Sequence, residues 1–544
     1  MNVTRRDALK LGGLAAVGTA AFGLPLGRSV SGGTPSLLAS KNFPPRYTNA
    51  FRPLEKLVPT VTYDADGPIH NYDIWAKPGL AGIVPGLQTP VLGYGGVVPA
   101  KRIDVDQGTR ITMTMHNRLP ATHPVFGTPV SISTHLHGSA SLPQYDGYAS
   151  DLTESQQKKV YHYPNFQPAR TLWYHDHGVH YTAQNAYSGL ASQYHLHDPD
   201  ERRLLPQGEF DVALTLSDMM FQANGSQLYD DRSHSGLWGD VILVNGTPWP
   251  VMKVKKRVYR FRLLNASLSR SYRPTLSTGD PVYMVATDGG LMPAVVPVSE
   301  WRHGSAERYE FLVDFRKYAT GQRVELKNLS NPNNRDFDFT GKIMAFDVVG
   351  DSFDKTDPTW DRPKPVMARP NGDPLASKEV MGLTETKDMK VVTIRVQRDD
   401  TTNEWNLNGE TWHDVVDSEY KKVLASPDLG ETQVWEIQNN SGGWFHPVHI
   451  HLIDFKILSR NGRAPFAYEQ GPKDVVYVGE GEKVRLIMKF GPHRGKYMVH
   501  CHNLPHEDHD MMHQFSVGLK SDDVDDNDPI HADPAVDDDS PTGA

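Results

Sequence analysis

Tyr497-Met498-Val499-His500-Cys501-His502-Asn503-Leu504-Pro505-His506-Glu507-Asp508-His509-Asp510-Met511 is the stretch on which the reading of this chain turns. Its first six residues read as a strand, in which neighbouring side chains point to opposite faces. His500 and His502 then share one face. Cys501, the sole cysteine of the chain, faces the other way. A second stretch, His446-Pro447-Val448-His449-Ile450-His451, has the same property. His449 and His451 share a face, while His446, three residues before His449, points away from it. One face therefore collects a thiol and an imidazole, and the other collects four imidazoles.

The chain holds 24 His in 544 residues, at which frequency chance gives about one His-x-His, yet there are five. His135/His137 and His175/His177 lie in patterned strands like the two pairs above and bring four more imidazoles. His195/His197, just before Asp198-Pro199, has no partner motif and is read as the chance pair. Eight imidazoles suit three copper ions with room left for oxygen. On the opposite face, His446 and Cys501 gain His506 and the sulfur of Met511. Two His, a thiolate and a weak axial Met are the ligands of a blue-copper electron-transfer site.

The strand pattern recurs. Gly108-Thr-Arg-Ile-Thr-Met-Thr-Met-His-Asn117 and Gly430-Glu-Thr-Gln-Val-Trp-Glu-Ile-Gln-Asn439 alternate apolar and polar residues, and Val258–Asn265 is a weaker third copy. His-x-His pairs follow the first and last copies but not the middle one. The chain is therefore expected to be all-β, with three β-sandwich domains near 45–200, 205–350 and 379–520. The Pro- and Asp-rich segment 351–378 reads as a linker. The length suits about three domains, and 40 Pro with 46 Gly favour turns and short strands.

Four motifs in order, His135-Leu-His137-Gly138, Trp173-Tyr-His-Asp-His177, His446-Pro-Val-His-Ile-His451 and His500-Cys-His-Asn-Leu-Pro-His506-Glu-Asp-His-Asp-Met511, resemble those of the three-domain multicopper oxidases. Trp444 and Gly239–Gly246 add a resemblance to the branch holding bilirubin oxidase and the spore-coat laccases. The resemblance implies three consecutive cupredoxin-like Greek-key sandwiches and four copper ions. It implies a type 1 copper at His446, Cys501, His506 and Met511, with Met512 as a neighbouring sulfur. It also implies a type 2 copper at His135 and His449, and a type 3 pair at His137, His175, His177, His451, His500 and His502. Asp146 and Glu507 are implied as proton relays, although an Asp before Gly147 is also a common turn residue. Trp444 either forms the rim where an organic donor rests or is a core tryptophan. The activity implied is one-electron oxidation of phenols, aromatic amines or tetrapyrrole-like pigments, with dioxygen reduced to water.

Net charge is -9, but nine Asp and no Lys or Arg lie in 521–544, so the body is near neutral. That segment reads as a disordered acidic tail. The basic run Lys253–Arg260 is too small for a nucleic-acid surface. A lone cysteine usually indicates a reducing compartment. Arg5-Arg6 ahead of the weakly apolar stretch Leu11–Leu26 instead resembles a twin-arginine export signal within residues 1–40. Sixteen or so residues with several Gly are short for a membrane anchor. The expected location is periplasmic, cell-surface or extracellular, with the twin-arginine translocation machinery as partner. Two other functions compete. Oxidation of cuprous or other metal ions usually accompanies a Met-rich insertion, whereas the 16 Met here are scattered. A copper-free exported scaffold would have lost ligands, whereas all twelve positions are filled.

Overall fold

The computed structural model describes residues 35–350, 378–519, 529 and 535–537. The Arg5-Arg6 segment and nearly all of 351–378 lie outside the described residues. Strands dominate, and they build three pairs of sheets.

The three alternating segments occupy equivalent places. Arg110–Asn117 runs parallel to Gly67–Ala81 and antiparallel to Gln157–Tyr163. Val258–Asn265 runs parallel to Asp211–Met219 and antiparallel to Arg308–Asp314. Thr432–Asn439 runs parallel to Val391–Arg398 and antiparallel to Lys483–Lys489. Each of these sheets faces a four-stranded one, and each core draws on both members of its pair. Ile74 and Met113 pack with Leu136 and Leu172. Leu214 and Phe261 pack with Leu326 and Phe346. Ile437 and Leu486 pack with Val448 and Val499. This is sandwich packing, with inward residues of both sheets forming one core.

The middle copy looks weak in sequence because all eight of its residues are buried. Arg260 donates from Nε to Glu310 Oε2 at 2.8 Å, and Arg262 donates from Nε to Asp211 Oδ1 at 2.8 Å. The basic run is thus partly an internal ion network. His197, of the chance pair, approaches that network, with Nδ1 3.1 Å from Glu201 Oε2.

One expectation needs correcting. The acidic tail is not solvated throughout, because Ala535–Val536 pair antiparallel with Lys158 and Gln157 at a sheet edge. Asp537 is buried there, 2.9 Å from His116 Nδ1 and 3.0 Å from Arg118 Nε. An edge strand offers unpaired backbone groups, and the backbone of Ala535–Val536 takes up that offer. Average composition concealed this.

Candidate metal centres

Register brings the histidines together. Thr134–His137 and Arg170–Asp176 are antiparallel, with His135 opposite His175 and His137 opposite Trp173. In the last sandwich His449 lies opposite His500 and Val448 opposite Cys501. Residues directly opposite share a face, so His446, two before Val448, shares the face of Cys501. The alternation read from the sequence is the alternation of the fold.

On one face the eight imidazoles of the first and last sandwiches meet, each at most 1 % exposed. His177 Nε2 and His451 Nε2 both lie 3.1 Å from His500 Nε2, and His135 Nε2 lies 3.4 Å from His449 Nε2. Several outer nitrogens are already committed as donors. His449 Nδ1 donates to the Asp474 carbonyl at 2.8 Å, and His175 Nδ1 donates to the Asp176 carbonyl at 2.8 Å. His451 Nδ1 donates to Asp146 Oδ2 at 2.7 Å. The inner nitrogens are then lone-pair acceptors aimed at one another, an arrangement that repels unless a cation lies between them. His175 Nε2, His137 Nδ1 and both nitrogens of His502 are buried without a hydrogen-bond partner. Separations near 3.1–3.4 Å match nitrogens sharing an ion at about 2 Å each. The donor set fits metal.

On the other face Cys501 Sγ lies 3.3 Å from His446 Nδ1 and 3.8 Å from His506 Nδ1, and the two nitrogens are 3.3 Å apart. The outer nitrogens meet Ser441 Oγ at 2.8 Å and the Ser235 carbonyl at 3.1 Å. Burial holds the Cys501 thiol far above its usual range, so it would ionise only against a bound cation. Met511 packs in the same apolar cluster as Cys501, whereas Met512 packs with Tyr148, Trp412 and Met498. The half-buried Trp444 presents its ring edge-on to His506, with centroids 5.7 Å apart.

The carboxylates lie just behind the ligands. Asp146 is 2 % exposed, and burial pushes its carboxyl well above the usual range, with Lys159 opposing. Gly147 has φ +76°, and a Cβ there would come within 2.4 Å of the Thr134 carbonyl. That close approach lets the Asp146 carbonyl accept from His135 Nδ1. Glu507 Oε2 lies 2.8 Å from His500 Nδ1 and Oε1 lies 3.6 Å from His177 Nδ1. Burial opposes ionisation of Glu507, but His500 and His177 outweigh it and hold the carboxyl at about 2. Asp176 turns away from the cluster and accepts from Ser133 N at 2.9 Å and Asn185 Nδ2 at 2.8 Å.

Two residues in contact with this machinery carried no sequence signal. Trp405 stacks on His506 with centroids 3.8 Å apart. Asp474 receives His449 Nδ1 on its carbonyl and lies 3.1 Å from His137 Nε2 through Oδ1. Neither lies in a histidine motif.

Residues 81–201 and 383–521, the segments that supply the clustered histidines, match models of the family described as multicopper oxidase. Over 483 residues the chain is 38% identical to a bilirubin oxidase of Albifimbria verrucaria, covering 85% of this chain and 79% of that protein. The chain belongs to the multicopper oxidase family. It is also 32% identical over 489 residues to a laccase of Bacillus subtilis, covering 79% of this chain and 90% of the relative. Among solved structures, a multicopper oxidase of Aquifex aeolicus has TM-score 0.72 at 27% identity, covering 86% of this chain and all of that one. A multicopper oxidase is a copper-dependent oxidoreductase with dioxygen as acceptor, and the sandwiches of this one are cupredoxin-like. Among the described residues, no helix is long and apolar enough to cross a membrane.

Proposed function

We propose that this multicopper oxidase binds four coppers and oxidises phenols, aromatic amines or tetrapyrrole-like pigments. His446, Cys501, His506 and Met511 would hold the type 1 copper, and His135 with His449 the type 2 copper. His137, His175, His177, His451, His500 and His502 would hold the type 3 pair. When bound, the coppers supply one-electron oxidation of the donor and four-electron reduction of dioxygen to water.

The observation that carries this reading is the opposite facing of Cys501 and its two flanking imidazoles, with His446 and His506 nitrogens at 3.3 and 3.8 Å from the sulfur. One strand thus links the two sites covalently through adjacent residues. Met511 packs in the same cluster as the thiol and would supply a weak sulfur donor, and an apolar surround around the sulfur would tune such a site. Asp146 and Glu507 differ in their hold on a proton, since burial raises the affinity of one and two imidazoles lower that of the other. Two buried carboxyls of unlike affinity behind the imidazoles are suited to deliver the four protons each dioxygen requires. Trp444, half-exposed and edge-on to His506, supplies a flat rim for an aromatic donor.

The substrate class draws on the relatives named bilirubin oxidase and laccase. The Arg5-Arg6 pair and the stretch after it support export by the twin-arginine route to a periplasmic, cell-surface or extracellular site. A steady-state comparison of bilirubin, a methoxyphenol and cuprous ion on copper-loaded enzyme, with oxygen uptake recorded, tests the substrate class. The organic donors are expected to have the larger kcat/KM. A clear preference for cuprous ion overturns the reading.

A further inference from the structure

Outside His506, two loops from different sandwiches bring together side chains that play no part in the copper chemistry above. Asp231 Oδ2 lies 3.1 Å from His234 Nδ1 and 3.5 Å from His509 Nε2. The two imidazole centroids are only 3.1 Å apart, at 35°, well inside the usual aromatic separation of about 4.5–7 Å. The carboxylate between them is ionised, because the two imidazoles outweigh its partial burial and hold it at about 2. The side chains of Asp231, His234 and His509 are 19%, 48% and 35% exposed, so a hydrated ion can reach them.

The backbone holds this arrangement at a cost. Arg232, Ser233 and His234 have φ of +55°, +55° and +67°, three successive left-handed residues without a glycine. A left-handed φ is strained for residues other than glycine, and such strain gathers at ligand clamps and functional sites. The turn is closed by Ser235 N and Gly236 N, each donating to the Asp231 carbonyl at 2.9 Å. His509 stands at the end of the helix Leu504–Asp508, between His506 and Met511.

We propose that Asp231, His234 and His509 form a binding site for a divalent transition-metal ion that staples the 231–236 loop of the middle sandwich to the 506–511 loop of the last. Two imidazoles and one carboxylate leave open coordination positions for water and suit Zn2+, Cu2+ or Ni2+. The staple sits directly over the thiol centre. Ser235, next to His234, accepts from His506 Nε2 at 3.1 Å through its carbonyl. The His234 carbonyl accepts from Trp405 Nε1 at 2.8 Å, and Trp405 is the ring stacked on His506. An ion here therefore clamps the cover of His506 without touching the ligands. Its placement over the type 1 copper rests on the ligand assignment above, but the binding itself does not.

The test is calorimetric titration of Zn2+, which is redox-inert, into copper-loaded enzyme freed of loosely held metal. One Zn2+ per chain is expected to bind, and Zn2+ is expected to raise the temperature at which the blue colour is lost. Asp231→Asn and His509→Gln are each expected to weaken that binding at least tenfold and to abolish the thermal shift, with the blue colour kept in the absence of Zn2+. His234→Gln, on the same loop as Asp231, provides a third variant and is expected to weaken the binding likewise. Absence of Zn2+ binding in the parent enzyme, or equal affinity in the variants, overturns the proposal. If Zn2+ binds as expected but Cys501→Ser leaves the blue colour intact, the type 1 assignment falls while this site stands.

Discussion

Arg308 Nη1 lies 2.6 Å from Asp474 Oδ1, so a strand of the sandwich with no clustered histidine steadies a carboxylate that touches two histidines of the cluster. Asp474 receives His449 Nδ1 on its carbonyl at 2.8 Å and lies 3.1 Å from His137 Nε2. Burial raises its carboxyl to about 6 against the pull of Arg308. Partners behind metal-bound imidazoles typically change affinity or activity by about 10–100-fold when removed. Asp474→Asn is therefore expected to lower turnover by about that range and to reduce copper per chain. Arg308→Gln, which strands a buried carboxylate, is expected to cost about 3–5 kcal/mol of stability. Metal analysis and thermal melts check both, and unchanged copper content in Asp474→Asn would rule out the positioning role.

Cys501→Ser is expected to abolish the intense blue absorption and all turnover while circular dichroism and the melting transition persist. The thiol is fully buried, and serine nearly preserves its volume. A blue, active variant would remove the basis for the ligand assignment.

Much of this site was legible because strand parity is strict: a period of two leaves no freedom about which face Cys501 takes once His500 and His502 are placed. The same rule assigned His446 to the thiol side, where it is found. Trp405, Asp474 and Arg308 escaped notice for a common reason. They lie outside the histidine motifs and reach them only through sheet packing, which local spacing does not encode. The Ala535–Val536 strand was hidden by the acidity of its neighbours, although its pairing is a backbone matter that composition does not govern. The middle repeat looked weak because both of its faces are buried, with Arg260 and Arg262 on the polar positions paired to buried carboxylates.

Met511→Leu is expected to retain the blue colour and raise the potential of the copper beside Cys501, since a weak sulfur donor is withdrawn. Met512→Leu is expected to leave the potential unchanged, because that side chain packs with Trp412 and Tyr148 on the other side. A redox titration of both variants separates them. A shift in Met512→Leu alone would transfer the axial role.

Asp146→Asn preserves an oxygen acceptor for His451 Nδ1 but can no longer exchange a carboxyl proton, and Glu507→Gln preserves an oxygen beside His500 but can no longer take one up. Each is expected to lower oxygen turnover by about 10²–10⁴-fold, while anaerobic bleaching of the blue colour by an organic donor keeps its rate. Loss of both activities together would mean that these residues hold the structure and do not move protons.

The copper-free protein is expected to be acid-labile, with a sign that follows from the buried histidines. Burial holds His175 and His446 at about 3 and His177 at about 4, and pushes His135, His137, His449, His451, His502 and His506 well below their usual range. An unfolded chain protonates these groups below about pH 6.5 and the folded one does not, so each removes about 1.4 kcal/mol per pH unit as pH falls through that window. Four carboxyls beside the cluster act oppositely, because burial raises Asp146 and Asp508 well above the usual range, Asp176 to about 7 and Asp474 to about 6. Their protons, retained on folding, strengthen the native state in acid. Nine imidazoles outweigh four carboxyls, so the melting temperature should fall steeply between about pH 6.5 and pH 5. Thermal melts of chelator-treated protein across that range decide the matter, and a flat profile would mean that the cluster is open to water when copper is absent.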